Sequence, residues 1–191
     1  MSLIPAFEIG IWNAWIPMLL DVLTFPLFTR IAKGRAPEAE GKSQVAAMSK
    51  TEKITLYSSK IIYVPALIYS IFLPLKLGTV WFYVGLPITL IGFITGVIVI
   101  VNWANSPRGE PVTGGLYHYS RHPMYVTAFL FFLGVSIATA SWVFLLFTII
   151  LIGASFYFAP AEEQSCLEKY GDAYREYMNR TPRYLGIPKS G

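Results

Sequence analysis

Residues 122–161 read HPMYVTAFLFFLGVSIATASWVFLLFTIILIGASFYFAPA, forty residues without one Asp, Glu, Lys or Arg. A helix crosses the hydrocarbon of a bilayer in about 20 residues, so a run of this length is two crossings. Thr139-Ala140-Ser141, at its middle, is the expected turn. Backbone polar groups in lipid must be satisfied within the chain, and the run has none of the alternating polar face of a pore barrel. Both crossings are therefore expected to be helices, joined as a hairpin.

Three further apolar regions precede this one. Residues 11–29 hold a single charge, Asp21, with Pro17 and Pro26 as kinks; residues 54–75 hold only Lys60; residues 79–101 hold none. With 123–139 and 142–161 they make five expected spans in one all-α integral membrane domain covering 1–191. Composition agrees, since 54% of residues are hydrophobic and only 14% charged, where a soluble domain carries about 25% charge. Within the third span, Gly92-x-x-x-Gly96 permits close helix contact.

Five spans place fourteen of the fifteen Lys and Arg residues on one side of the membrane and leave Lys76 on the other. By the positive-inside rule the N-terminus is then outside, and the 102–125 segment and the 162–191 tail are cytoplasmic. The net charge of +4 follows from this asymmetry and from attraction to anionic head groups, so no nucleic-acid partner is expected. Met1 to Gly10 has no basic n-region, so no removable signal peptide is expected. Arg30 to Lys53 reads as a cytoplasmic loop, either a plain connector or one touching lipid head groups.

Polar chemistry gathers at the cytoplasmic boundary. Val112 to Tyr125 packs Arg121, His122 and three tyrosines between apolar segments, and Glu162 and Glu163 follow directly after the last span. Polar residues placed this way commonly mark function. Gly109, Gly114 and Gly115 allow close backbone approach to a ligand, and Pro123 suits the first turn of a helix. The same residues also fit a plain turn with belt aromatics, and the glutamates a solvated helix extension. No metal is expected. Cys166 is the single cysteine, and His118 and His122 flank a loop without the glutamate of a His-Glu-x-x-His helix.

Residues 112–125 match the pattern Val-Thr-x-Gly-x-Tyr-x-x-x-Arg-His-Pro-x-Tyr, and residues 162–183 match a Glu-Glu…Gly-x-x-Tyr-x-x-Tyr…Arg-x-Pro ending. Together these resemble the isoprenylcysteine carboxyl methyltransferase family. The resemblance implies an integral membrane methyltransferase that uses S-adenosylmethionine, yields S-adenosylhomocysteine and is not built on a Rossmann fold. By position it implies a cofactor shell of Glu110, Pro111, Val112, Tyr117, His122, Pro123, Tyr125 and Glu162, with Asn102 as a further member and Arg121 beside them. Eukaryotic members resemble one another in an arginine four residues before the cofactor-contacting glutamate; Phe158 stands there in this chain, a departure that bears on substrate rather than on methyl transfer.

The expected reaction is esterification of the C-terminal carboxylate of a prenylated cysteine or a similar lipidic acid, entering from the bilayer. A carboxylate is ionised at pH 7 and needs no general base. Arg121 and Glu163 are the expected catalytic residues. Arg121 either positions the substrate carboxylate or braces the cofactor pocket. Glu163, like His122, is a candidate base should the acceptor be an amine, as in a phospholipid N-methyltransferase. A sterol-type reductase using a nicotinamide cofactor and a non-catalytic membrane scaffold are the other readings. The Tyr170 to Tyr184 tail is expected to form a helix over the cofactor, with Arg180 and Arg183 either contacting it or lying at the membrane surface.

Overall fold

The turn at the middle of the forty-residue run closes as its sequence implies. In a computed structural model describing residues 7–31 and 50–188, Ala140 adopts a left-handed φ of 49° between two helices. The Thr139 hydroxyl donates to the Val135 carbonyl at 2.7 Å, and the Ser141 Oγ accepts the Phe144 N–H at 3.2 Å, so the turn's hydroxyls meet polar groups at both helix ends. One turn deeper, Ser136 and Thr148 share a hydrogen bond of 2.9 Å across the hairpin.

Among the described residues the chain is helical, with no strand beyond one bridge between Asn13 and Pro74. In order come α1 (Trp15–Ile31), α2 (Lys50–Ser70), α3 (Val80–Asn105), a 3-10 turn (Gly115–His118), α4 (Pro123–Ala138), α5 (Trp142–Tyr170) and α6 (Asp172–Arg180). Two of them, α3 and α5, are long and apolar enough to cross a membrane, while Trp15–Phe28 and Pro123–Ala138 are shorter apolar segments. Most of the Arg30–Lys53 loop, together with residues 1–6 and 189–191, lies outside the described residues.

Two helix boundaries differ from the sequence expectation. Residues 11–14 and 71–75 are not helical; they hold each other, with Ala14 N–H donating to Leu73 O at 2.9 Å and Leu75 N–H to Trp12 O at 3.0 Å. Pro74 explains the second boundary, because the residue before a proline is pushed out of the helical region. Asn13 explains the first, since its buried amide donates to the carbonyls of Glu8 and Ile71. At the other end α3 runs on to Asn105, so Asn102 is helical.

α3 and α4 pack antiparallel and very closely. Gly85 lies against Ala138, Thr89 against Gly134, and Gly92 against Phe131, and a Cβ on any of the three glycines would overlap the partner's backbone. Small residues let helices approach this way in lipid, where apolar area alone does not draw them together. Gly92 belongs to this seam with Gly85 and Gly134, whereas Gly96 makes only ordinary contact with the Thr127 side chain. Phe131, Phe132 and Phe144 fill the centre, with Met18 of α1 and Ala66 of α2 against them. The outer faces of α3 and α5 are apolar and exposed, as at Val80, Ile94, Ile149 and Phe156, a distribution suited to lipid contact.

Because α4 runs antiparallel to α3 and turns back into α5, three helix ends meet at one end of the bundle. They are the C-terminus of α3, the N-terminus of α4 and the C-terminus of α5. The 29 residues of α5 span about 43 Å, beyond a hydrocarbon core of about 30 Å. Its charged last turns, from Glu162 on, therefore extend past the apolar part.

Candidate active site

Pro123 occupies the first turn of α4 and His122 its N-cap, as the sequence implied. Proline costs the helix nothing there, because that N–H has no intrahelical acceptor. His122 thus points off the end of α4 toward α5, where Glu162 and Glu163 follow the last apolar turn. Consecutive helical residues diverge by about 100°, so the two glutamates face different groups and share only His122.

Glu163 is the hub. Its Oε1 lies 3.1 Å from His122 Nε2 and 3.4 Å from Arg121 Nη1. Arg183 grips it with both edges of a fork, Nε to Oε1 at 3.0 Å and Nη2 to Oε2 at 2.7 Å, the geometry in which guanidinium binds a carboxylate most tightly. Glu162 faces the other side, accepting the Tyr125 hydroxyl at 2.8 Å and lying 3.4 Å from His122 Nδ1. The Tyr125 ring stacks on His122, with centroids 5.5 Å apart and planes 14° from parallel.

Both ring nitrogens of His122 therefore face carboxylate oxygens, an arrangement satisfied when each carries a proton. Burial works against the charged ring, but the hydrogen bonds and charges of Glu162 and Glu163 outweigh it and raise the His122 pKa above its ordinary value. For Glu163, burial alone would raise the pKa; the bonds from His122 and Arg183 and the charge of Arg121 prevail and hold it at about 2. Two arginines and a histidine whose charged form is favoured thus face two carboxylates.

The signs of these shifts fix a stability window. The raised His122 pKa contributes stability that is complete below its ordinary value of 6.5 and is lost as pH rises through the folded-state value. The lowered Glu163 pKa contributes stability that is complete above its ordinary value of 4.5 and is lost as pH falls toward 2. The melting temperature in detergent should therefore be highest between these ordinary values, and His122→Asn should flatten the alkaline decline. An alkaline limb unchanged in that variant would assign the decline to another group.

The tail clamps the loop that carries Arg121 and His122. Their backbone N–H groups donate to Pro182 O at 3.0 Å and Arg183 O at 3.1 Å, and Gly186 N–H donates to Tyr119 O at 3.3 Å. Tyr177 of α6 donates its buried hydroxyl toward the carbonyls of Tyr117 and Ser120, at 2.7 and 3.2 Å. Tyr184 packs its ring on Phe156 at 4.9 Å and donates to Ser155 O at 3.2 Å, tying the tail to α5.

Arg121, His122, Tyr125, Glu162 and Glu163 are thus brought together. Asn102 lies one layer away, its amide against Gly115, whose φ of 61° and lack of a Cβ permit the approach. Tyr117 is buried in the 3-10 turn. Glu110 is exposed and Pro111 and Val112 are half-buried on the non-helical stretch between α3 and that turn. Arg180 pairs instead with Glu176 on the exposed side of α6, at 3.1 Å. Ser120 was not singled out in the sequence, Tyr177 entered only as part of the Gly-x-x-Tyr-x-x-Tyr motif and Tyr184 only as the end of the tail, and of the two roles open to Arg183 neither was the clamp on Glu163. The available signal was Thr181-Pro182, which ends α6 and sends the chain back extended.

Residues 103–173 match the model of the phospholipid methyltransferase family. A 78-residue stretch, 40% of this chain, is 36% identical to a protein-S-isoprenylcysteine O-methyltransferase of Schizosaccharomyces pombe. That stretch covers 32% of the relative, so the chain spans about a third of the length of the curated protein it matches. Both comparisons thus find a methyltransferase resemblance, and the family match over 103–173 includes the Arg121-His122-Pro123 and Glu162-Glu163 motifs.

Proposed function

We propose that this chain is a membrane methyltransferase with S-adenosylmethionine as donor and the carboxylate of a lipidic acid, in the first instance a prenylated cysteine, as acceptor. The observation that carries the choice of acceptor is the ionisation of the cluster. Glu163 is held ionised by its bonds from His122 and Arg183 and the charge of Arg121, and both ring nitrogens of His122 are taken up by carboxylates, which favour its charged form. Neither is placed to take a proton from an acceptor. An ammonium acceptor must lose a proton before it attacks, whereas a carboxylate is already ionised.

The residues fit the proposed donor. Glu162 keeps a partly exposed carboxylate, and Arg121 Nε is buried without a hydrogen-bond partner among the described residues. A buried donor without an acceptor costs about 1–3 kcal/mol, and a carboxylate such as that of the donor's amino-acid part would satisfy it. Glu162 and Tyr125 would hold the donor's hydroxyl or amino groups, with Asn102, Glu110, Pro111, Val112, Tyr117, His122 and Pro123 around it. Bound there, the donor would supply an electrophilic methyl group for transfer from its sulfur to the acceptor oxygen, a transfer that would need no proton to move.

The chain's own work is alignment and exclusion of water, for which effective molarities are large. Arg121 is nearly buried beside Glu163, and this supports the bracing role for it. Glu163 acts as the anchor that fixes His122 and the arginines. Five spans, with an external N-terminus and the cluster at the cytoplasmic end, complete the proposal; the antiparallel α3, α4 and α5 and the fourteen-to-one charge asymmetry support it.

The test is methyl transfer from radiolabelled S-adenosylmethionine to N-acetyl-S-farnesylcysteine by purified protein in detergent, read as base-labile volatile methanol. Ester formation at a rate nearly constant from about pH 6 to 9 is expected, since the acceptor carboxylate titrates well below that range. The family model's own description favours a second reading, transfer to a phospholipid amine. Base-stable label on lipid, with a rate falling steeply below neutrality, would select it.

A further inference from the structure

The three cations around Glu163 are not equivalent. Arg121 and His122 have side chains 11% and 8% exposed, Glu163 itself only 3%, while Arg183 is 40% exposed. Arg183 spends two of its five N–H donors on Glu163. It is the exposed cation at the rim of the cluster, with three donors not engaged by Glu163, so an approaching anion meets Arg183 first.

The surroundings of Arg183 change character abruptly. The next residue, Tyr184, lies on Phe156 of α5, and Phe156, Tyr157, Leu185 and Ile187 are exposed apolar side chains, from 58% to 91%. A guanidinium therefore borders an apolar surface, with the fully polar hub behind it. The ligand matching that junction is an amphiphile with a carboxylate head and an apolar tail. A free inorganic anion would leave the apolar side uncovered, and a neutral lipid would leave the charge unanswered.

We infer that Arg183 is the receptor for the acceptor's carboxylate and so determines specificity for acids, with the Phe156–Tyr184 surface taking the start of the apolar chain. The assignment rests on the carboxylate-acceptor reading above and adds the residue that selects it. Glu163 holds the guanidinium in place through Nε and Nη2, so the head group is met by a preorganised donor. Arg121, deeper and almost closed off, serves the hub.

The probe is N-acetyl-S-farnesylcysteine, compared with its neutral carboxamide as a binding competitor, in the presence of S-adenosylhomocysteine. In the wild-type protein the acid should bind at least about tenfold more tightly than the amide, the ratio given by one charge-assisted hydrogen-bonded pair. In Arg183→Gln the ratio should fall to within about twofold of unity, with Arg183→Lys between the two. A merely structural role would weaken acid and amide alike and leave their ratio unchanged, so the ratio itself separates a receptor from a brace.

An acid preference that survives in Arg183→Gln, or that is absent from the wild type, overturns the assignment. So does an equal loss of acid and amide affinity in both variants, which would mark Arg183 as a brace alone. Should Arg183→Gln fail to fold, Arg183→Lys decides alone: a preference equal to wild type overturns the claim, because an ammonium cannot hold Glu163 through a planar edge and present a fixed N–H to the acceptor at once. An Arg183-dependent acid preference in a protein that forms no ester would uphold this inference and defeat the esterification reading, so the two fail separately.

Discussion

Glu163→Gln is expected to lose at least about a hundredfold in methyl transfer and about 3–5 kcal/mol of stability. The substitution keeps shape and some hydrogen bonding but removes the one anion shared by Arg121, His122 and Arg183. Breaking a buried ion pair by deleting one partner is costly because the remaining charge stays buried, and here two of the three cations left behind are nearly inaccessible. Their repulsion spreads the loop from the tail and moves every group that aligns the reactants. Glu162→Gln serves as the comparison: its carboxylate is 28% exposed, so water replaces part of what is lost and the effect on stability should be smaller. Activity and melting temperature are measured together. A Glu163→Gln protein with wild-type rate and melting temperature would remove Glu163 as the hub.

A chain ending at Arg180 is expected to retain its helices and lose the site. Truncation there removes the carbonyls that accept from Arg121 and His122 N–H, the Gly186 N–H that donates to Tyr119, and the Arg183 fork on Glu163. Each buried polar group left unpaired costs about 1–3 kcal/mol, so the 119–122 loop has little reason to keep its conformation. The α3–α4 seam and the aromatic centre lie elsewhere and stay intact. Far-UV circular dichroism should change only by the residues removed, while methyl transfer falls to background. Thermal stabilisation by S-adenosylmethionine, about 2.7 kcal/mol at a hundredfold excess over Kd for an intact site, should vanish. Undiminished stabilisation of the shortened chain would show that the tail is dispensable for the cofactor.

Much of this architecture is legible without coordinates. Unbroken apolar length marks α3 and the α4–α5 hairpin. Thr139-Ala140-Ser141 marks the turn, and Pro123 marks the start of α4. Such features are local, set by residues within a turn or two of one another. Boundaries set by distant partners were not legible. Residues 11–14 and 71–75 leave their apolar regions because they hydrogen-bond to each other across most of two helices. The Gly92–Gly96 spacing likewise suggested a contact, but only the register against α4 shows that Gly85 and Gly134 are the companions of Gly92.

For the site the division is sharper. The sequence by itself determined which chemistry was available: Arg121, His122, Tyr125 and a glutamate pair at one end of an apolar bundle, in a pattern shared with methyltransferases. It determined this because helix length and charge placement depend on short-range order and on the solvent each segment meets. The tertiary structure alone decided how the charges pair. Glu162 and Glu163 are neighbours in the chain, yet one turns to Tyr125 and the Nδ1 of His122 and the other to its Nε2 and to two arginines, one of them twenty residues further on. Adjacent helical side chains point about 100° apart, and the partner each finds depends on where α4 and the tail pack. That packing makes Glu163 a buried hub, favours the charged form of His122 and leaves Arg183 at the rim.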